Sequence, residues 1–292
     1  MRIGAKLPNS GPLPLQRGIP ELARAIEDAG FDSLWVSDHI ALPRVIESRY
    51  PFAADGRATW PSDTPYVDAL IALALAVAVT ERVTVGTAVL VVALRQPVVA
   101  AKQLASVDAL SGGRLVLGAG AGWLGQEFDA LDVPFETRGS QLEEWLALVR
   151  SCWTGAPAAH EGRHYRLPAD ILCLPTPAHR VPVLIGGHSP VALRRAGALG
   201  DGWLGQQSLG KLDPVELREA RAAAEGAARA AGRDPAELRV VLRIVESTGR
   251  FDELAPHLPS LEAAGVDEVI VDVDWAGDDP AAQLQRLRAA VA

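Results

Sequence analysis

The chain has 292 residues, of which 49% are hydrophobic and 22% charged, so it can form one large domain or two small ones with a sizeable core. Its formal net charge is −8 and its pI is near 5.3; without a Lys/Arg run, this acidic balance argues against nucleic acid and anionic membranes as partners. The longest apolar run, residues 69–79, is too short to span a bilayer, and no signal peptide precedes the first strand-like segment, so we expect a cytoplasmic protein.

Strand and helix patterns alternate along the whole chain. The predicted strands are residues 3–7, 33–36, 83–89, 115–118, 183–185, 202–204, 239–245 and 268–273. The predicted helices are residues 19–29, 67–79, 97–110, 141–153, 191–199, 214–231, 253–264 and 280–291. Long loops are expected at 40–65 and 120–139, and a small hairpin at 160–167.

Two helix starts carry specific signals. Ser140, followed by Glu143, predicts a capping box for helix 141–153. Ser189 and Pro190 predict an N-cap and a first helical residue for helix 191–199.

Eight strand–helix pairs predict an α/β protein with a (β/α)8 TIM barrel, formed by a single domain over residues 1–292. The long loops after the second and fourth strands lie on the C-terminal face of such a barrel, where function is expected. The rival is an open doubly wound sheet, which needs a dinucleotide fingerprint near its first strand. Residues 120–125 match G-x-G-x-x-G, but no strand ending in an acid follows, so we reject that fold.

The fifth predicted strand runs into Gly186 and Gly187, then His188 and Ser189, and then a helix. Bare backbone N–H groups at the positive end of a helix dipole form a phosphate site. The alternative is an ordinary strand-to-helix turn, in which His188 contacts no ligand.

The second predicted strand ends in Asp38 and His39. In a functional interpretation His39 contacts a bound ligand, while Asp38 orients it or caps the chain. In the alternative the pair forms a turn and a cap with a surface histidine.

Alternating glycines and large aromatic residues mark other strand ends. Gly118, Gly120 and Gly122 indicate either close approach of a flat or bulky group or tight packing of the barrel rim. Asn9 follows the first strand and is a candidate for the substrate pocket. Four tryptophans on or near strand ends could wall an apolar pocket: Trp35, Trp123, Trp203 and Trp275. No histidine pair at a strand end has metal-ligand spacing, so no metal site is expected.

Four stretches together resemble the bacterial luciferase-like monooxygenase family, in the branch that uses the deazaflavin coenzyme F420. They are AGFDSLWVSDHI (29–40), VGTAVLVVALRQPVVAAKQLASVDALSGGRLVLGAGAGW (85–123), EFDALDVPFETRG (127–139) and VPVLIGGHSPVALRRAGALGDGW (181–203). The last 80 residues fit only by their strand–helix pattern.

The resemblance implies a barrel whose cofactor lies across the C-terminal mouth. It implies a cis peptide between Ala88 and Val89 that supports the cofactor ring, with Asp38 and His39 near the ring. It also implies further cofactor contacts at Gly120, Gly122, Trp123, Gly186, Gly187, His188 and Ser189. Some deazaflavin dehydrogenases have an acidic residue where Trp123 stands, so this departure argues against a sugar-phosphate dehydrogenase.

The activity implied by the resemblance is hydride transfer between F420 and an unidentified small organic substrate, with His39 bonding the ring or passing a proton. One alternative is an FMN-dependent monooxygenase, for which a separate reductase supplies reduced flavin. Another is a cofactor-free barrel that binds a phosphorylated small molecule. A homodimer is the expected assembly.

Overall fold

Eight parallel strands close into a barrel surrounded by helices in the computed structural model of the chain, which describes residues 1–51, 53, 55–58 and 60–290. The barrel strands are β1 (Arg2–Lys6), β2 (Ser33–Val36), β3 (Thr84–Thr87), β5 (Leu115–Gly120), β8 (Val183–Gly186), β9 (Gly202–Ser208), β10 (Arg239–Val245) and β11 (Glu268–Val271). β1 pairs with β2 and β11, and β3 pairs with β5, which completes the ring. The predicted (β/α)8 barrel is therefore confirmed.

Within the described residues, three short strands lie outside the eight. β4 (Leu90–Val91) follows β3 and pairs with the end of β5. The predicted hairpin is confirmed as β6 (His160–Glu161) and β7 (Arg166–Leu167), which pair antiparallel.

The helices are α1 (Leu13–Gln16), α2 (Ile19–Asp28), α3 (Ala69–Val77), α4 (Pro97–Ser111), α5 (Gly125–Ala130), α6 (Arg138–Cys152), α7 (Pro190–Ala198), α8 (Pro214–Ala230), α9 (Phe251–Leu254), α10 (Leu258–Ala263) and α11 (Pro280–Arg288). Val291, the end of the predicted last helix, lies outside the described residues. No helix within the described ranges combines the length and the apolar character needed to cross a bilayer.

The predicted capping box at Ser140 is wrong, because α6 begins at Arg138, directly after a 3-10 turn over Phe135–Thr137. The hydroxyl of Ser140 therefore lies inside the first turn and donates to the carbonyl of Thr137 at 3.0 Å. The side chain of Glu143 instead accepts from Arg195 at 2.7 Å.

Other predicted elements also differ from the structure. The predicted loop 120–139 contains α5 and the 3-10 turn. The predicted helix 253–264 is divided into α9, a 3-10 turn over Ala255–His257 and α10, since Pro256 and Pro259 interrupt it. The predicted strand 202–204 extends to Ser208, because every residue of β9 is in register with a residue of β10.

Trp35 lies in a cluster of buried side chains inside the barrel; it is fully buried and walls no pocket. A Cβ at Gly86 would lie 2.4 Å from its ring, so this glycine leaves the space that the indole occupies. The indole N–H donates to Ser33 Oγ at 2.7 Å and to Glu268 Oε1 at 3.0 Å.

Candidate functional site

A cavity of about 1800 Å³ lies over the C-terminal ends of the barrel strands. This volume exceeds the 300–1,000 Å³ that is common for small-molecule sites, so it has room for a cofactor and a substrate together. The predicted site residues that line it are Asp38, His39, Ala88, Val89, Gly120, Gly122, Trp123, Gly186, Gly187, His188, Ser189 and Trp275.

Two predicted pocket residues lie behind the cavity wall instead of on its surface. Asn9 is 0% exposed, because its amide is hydrogen-bonded to backbone groups that follow β2 and precede α3. Trp203 is 1% exposed, and its indole N–H donates to the carbonyl of Gly187 at 2.7 Å. Both side chains therefore support residues of the wall and do not themselves face a ligand.

His39 is held by a carboxylate that sequence reasoning missed. Its Nδ1 lies 3.0 Å from Oε2 of Glu127, which is 1% exposed. The other oxygen of Glu127 accepts the backbone N–H groups of Ile40 and Ala41. A carboxylate accepts and does not donate, so it favours the proton on Nδ1 and leaves Nε2 as the acceptor.

Glu127 lies on α5, four residues after Trp123 and within a stretch that was expected to be a loop. Its carboxylate is the acidic group beside His39. No local signal in the sequence marks this contact, since the two residues are 88 positions apart.

Aromatic rings surround His39. The ring centroid of Tyr66 lies 5.2 Å from that of His39, and those of Trp60 and Trp123 lie 5.9 Å away. Tyr50 packs edge-on against both tryptophans, at 5.1 and 5.0 Å. Burial raises the pKa of both phenols, so they stay protonated at neutral pH. The wall near His39 is thus largely apolar, with neutral hydroxyl groups.

Asp38 does not contact the ring of His39. Its carboxylate accepts from Arg95 at 2.6 Å and from the backbone N–H of Val91 at 3.0 Å. Arg95 also donates to Asp68, the N-cap of α3, at 3.0 Å. Burial alone would lower the pKa of Arg95, but the two carboxylates outweigh it and raise the pKa. Asp38 therefore fixes the segment after β3 and caps the chain there.

The peptide between Ala88 and Val89 is cis, as the sequence analysis predicted. The Val89 side chain fits against two glycines, since a Cβ at Gly120 or Gly186 would lie 2.4 or 2.7 Å from its methyl groups. In the same way, a Cβ at Gly122 would lie 2.7 Å from Val91.

A Cβ at Gly118 would lie 1.9 Å from the carbonyl oxygen of Thr87. The alternating glycines at the end of β5 and just after it therefore accommodate alternate residues of the neighbouring segment, Thr87, Val89 and Val91. Of the two interpretations of these glycines, this contact pattern corresponds to tight packing of the barrel rim.

The start of α7 lies at the cavity wall. Ser189 caps it by accepting the N–H of Ala192 at 3.2 Å, and Pro190 is the first helical residue, as predicted. The indole N–H of Trp203 donates to the carbonyl of Gly187. The C=O and N–H of a trans peptide point in opposite directions, so the N–H of His188 points away from the indole. His188 Nε2 accepts the N–H of Gln206 at 2.9 Å, and its ring packs on Trp203 at 5.3 Å.

Cationic side chains that sequence reasoning missed also line the cavity: Lys6, Arg49, Arg138, Arg195, Lys211 and Arg243. They are dispersed along the chain, and the barrel closure brings them to one mouth. Across the part of the chain that the structure describes, no group of three or more His, Cys, Asp or Glu side chains is placed to hold a metal ion.

Comparison with known proteins gives a family match over most of the chain. The model of the luciferase-like monooxygenase family matches residues 4–258. The uncharacterised protein Rv0940c of Mycobacterium tuberculosis strain H37Rv is 34% identical over 251 residues, which cover 86% of this chain and 83% of that protein.

An F420-dependent glucose-6-phosphate dehydrogenase from Nakamurella multipartita is 34% identical over 189 residues. The match covers 64% of this chain and 51% of that enzyme, so it spans about half of the relative's length.

Among solved structures, an F420-dependent secondary alcohol dehydrogenase bound to an F420–acetone adduct aligns with a TM-score of 0.80 at 18% identity, covering 100% of this chain and 99% of that one. The monooxygenase RslO1 from Streptomyces bottropensis aligns with a TM-score of 0.74 at 18% identity, covering 100% and 98%. At this identity the two likenesses show a shared fold.

Proposed function

The chain belongs to the luciferase-like monooxygenase family, and from that premise we propose that it is an oxidoreductase that transfers hydride between coenzyme F420 and a small organic substrate. Relatives named as F420-dependent dehydrogenases, 34% identical over part of the chain, support the deazaflavin. The cofactor supplies the hydride chemistry, and the protein supplies orientation and a dry pocket.

The start of α7 is the feature that most directly supports a phosphate-bearing cofactor. The N-terminus of a helix with a glycine turn attracts an anion, and Arg195 and Lys211 line the same cavity. We assign the phosphate to Gly186, Gly187, His188 and Ser189. The cavity volume of about 1800 Å³ leaves space for such a cofactor. We place the cofactor ring near Ala88 and Val89, which line this cavity.

We assign His39 to the cofactor ring or its immediate partner. Glu127 fixes the imidazole and leaves Nε2 as the free ring nitrogen, and the surrounding aromatic rings exclude water. Trp123 and Trp275 line the rest of the cavity and would contact an apolar part of the ligand.

Fluorescence titration of the purified protein with F420 and with FMN tests the proposal. Tighter binding of F420 is expected. Tighter binding of FMN would instead place the protein among two-component monooxygenases, for which a separate reductase supplies reduced flavin. If neither cofactor binds while a phosphorylated small molecule does, the protein is a cofactor-free binding barrel.

We further propose a homodimer. α3 is apolar on every side (ALIALALAV), a pattern typical of a helix that is buried all round. In the single chain, Ile71 and Leu75 on α3 remain 59% and 40% exposed, and Val99 on α4 remains 55% exposed. Burial of these side chains against a second copy supports the assembly.

A further inference from the structure

Lys6 ends β1 and lines the cavity, where the mechanism proposed above gives it no role. Its Nζ donates to the carbonyl of Leu7 at 2.8 Å and to Oδ1 of Asn9 at 2.8 Å. Both acceptors are neutral. No carboxylate pairs with Lys6 among the residues that the structure describes.

Asn9 holds the lysine in one orientation. Its Nδ2 donates to the carbonyls of Ser37 at 2.7 Å and Val67 at 3.0 Å. A 180° flip of the amide would place Oδ1 against these two carbonyl oxygens, which is unfavourable. Its Oδ1 must therefore point toward Lys6. Asn9, which we expected in the substrate pocket, acts through the lysine as a positioning residue.

The charged groups near Lys6 belong to the two strands that precede β1 around the barrel. Arg243 on β10 pairs with Asp272, which follows β11, and also donates to the carbonyl of Ile244 at 2.7 Å. The charge of Asp272 is thus already engaged by Arg243. Burial and, to a smaller extent, the Arg243 cation lower the pKa of Lys6, while Asp272 partly opposes them, and together they bring it to about 7.

The hydrogen-bond count allows both protonation states without rearrangement. A neutral amine has two N–H donors and one lone pair, whereas an ammonium group has three donors. Two donors serve Leu7 and Asn9 in either state. Gain or loss of a proton therefore occurs at the third position on Nζ, the one that these two protein acceptors leave available for a ligand in the cavity.

We propose that Lys6 exchanges a proton with the substrate heteroatom while hydride moves between the substrate carbon and the deazaflavin; this inference rests on the proposed function. In oxidation of an alcohol, the C–H bond breaks and its electron pair leaves with the hydride to the oxidised deazaflavin. The O–H proton passes to the lone pair of Nζ, and the C=O bond forms. In reduction, the ammonium returns a proton to the oxygen as the hydride arrives.

A direct test is the titration of Lys6 by NMR in protein labelled at the lysine side chains. The chain has three lysines, Lys6, Lys102 and Lys211, so the signals can be assigned by replacing each in turn with arginine. We expect the Lys6 signal to titrate with a midpoint at about 7. A midpoint in the ordinary lysine range, about 10.4, would overturn the proposal whether or not F420 binds.

Variants of the neighbouring charges test the cause of this titration. Asp272→Asn removes a carboxylate, so the midpoint should fall. Arg243→Gln removes a cation, so the midpoint should rise. A rise of the midpoint in Asp272→Asn together with a fall in Arg243→Gln would show that another group controls the signal.

Kinetics of the F420-loaded protein test the catalytic role. Lys6→Met should lower kcat for oxidation of reduced F420 by carbonyl compounds roughly 10²–10⁴-fold, as for loss of a positioned acid. Its F420 affinity should stay within a few-fold of the parent's. Lys6→Arg should be as slow, because guanidinium does not give up its proton.

Lys102→Met is the matched control, since Lys102 lies on the outer helix α4 and donates to the carbonyl of Leu174. Unchanged kcat in Lys6→Met would overturn the proposal. A parent protein that does not bind F420 would refute the proposed function instead, while the NMR titration would still report on the lysine.

Discussion

Glu127 and His39 form a buried pair, with 3.0 Å between Oε2 and Nδ1, although they are 88 residues apart in the chain. The pair joins α5 to the end of β2, and the second oxygen of Glu127 ties down the backbone of residues 40 and 41. One carboxylate thus organises both the imidazole and the loop that begins after it.

Glu127→Gln should lower the free energy of unfolding by about 1–3 kcal/mol, the range for leaving buried polar groups unsatisfied. The amide oxygen can still accept from the two backbone N–H groups, but the amide NH2 then faces Nδ1 of His39. The imidazole must therefore lose either this hydrogen bond or its Nδ1 proton. Urea denaturation measures the difference. Glu136→Gln, at an exposed position on the cavity edge, is the control; equal stability of the two variants would contradict the role of Glu127.

Ser189→Asp should weaken F420 binding by about tenfold, or about 1.4 kcal/mol, while stability changes little. Aspartate caps a helix as well as serine does, but its charge would repel a phosphate at the start of α7. Fluorescence titration measures the affinity. An aspartate at Gly187 would be a poorer test, because this glycine has φ of 118° and any side chain there is strained.

Ser260→Asp is the control for this prediction, since it adds the same charge at an exposed position on α10. Full affinity in Ser189→Asp would mean that the phosphate binds elsewhere.

Glu27 lies at the end of the barrel opposite the cavity, and its carboxylate should make the free energy of unfolding depend on pH. Burial tends to raise its pKa, but the N–H groups of Val83, Arg82 and Glu81 donate to the carboxylate and hold the pKa below its usual value. A depressed folded-state pKa adds stability that is present above the unfolded-state pKa and is lost as the pH falls through the folded value.

Glu27→Gln should therefore cost about 1–3 kcal/mol at pH 7, and this difference should shrink at acidic pH as the parent carboxyl is protonated. Urea denaturation over a pH series measures it. Glu21→Gln on the same helix removes only an exposed i,i+4 pair with Arg17 and should cost little at any pH. A pH-independent difference for Glu27→Gln would rule out the charge as its source.

Replacing Ile71 and Leu75 together with lysine should convert the expected dimer into a monomer without loss of fold. Charged side chains on an apolar contact face oppose its burial, whereas in the single chain both positions are already part-exposed. Size-exclusion chromatography with light scattering gives the mass, and Val215→Lys on α8 serves as the control. A parent protein that is monomeric at all concentrations would contradict the homodimer.

The order of strands and helices was predictable because it depends on local patterns. Val183–Gly186 is a short apolar run that ends in glycine, and Ser189 with Pro190 is a helix start that needs no distant partner. The resemblance added the cis peptide between Ala88 and Val89, which is confirmed. Boundaries failed where another element competed, as at Glu143, whose carboxylate pairs with Arg195 and not with its own helix start.

The site was predictable only in part. Strand ends gave His39 and the glycine turn, since in a barrel all strands end at one mouth. Glu127 and Arg243 carry no local signal, because their partners His39 and Asp272 are distant in the sequence. The partners of Lys6 are close in the sequence, but no local pattern shows that this lysine lines the cavity. Asn9 and Trp203 were near the right place, but their polar atoms turn inward to support the wall.

The fit of Val89 against Gly120 on β5 and Gly186 on β8 links three positions in any attempt to reshape the mouth. Val89 occupies the space that side chains at Gly120 and Gly186 would need. Neither glycine can gain a methyl group unless residue 89 becomes smaller at the same time. Library design should therefore vary positions 89, 120 and 186 as a set. In homologous chains, a larger residue at 120 or 186 is expected to accompany a smaller residue at 89.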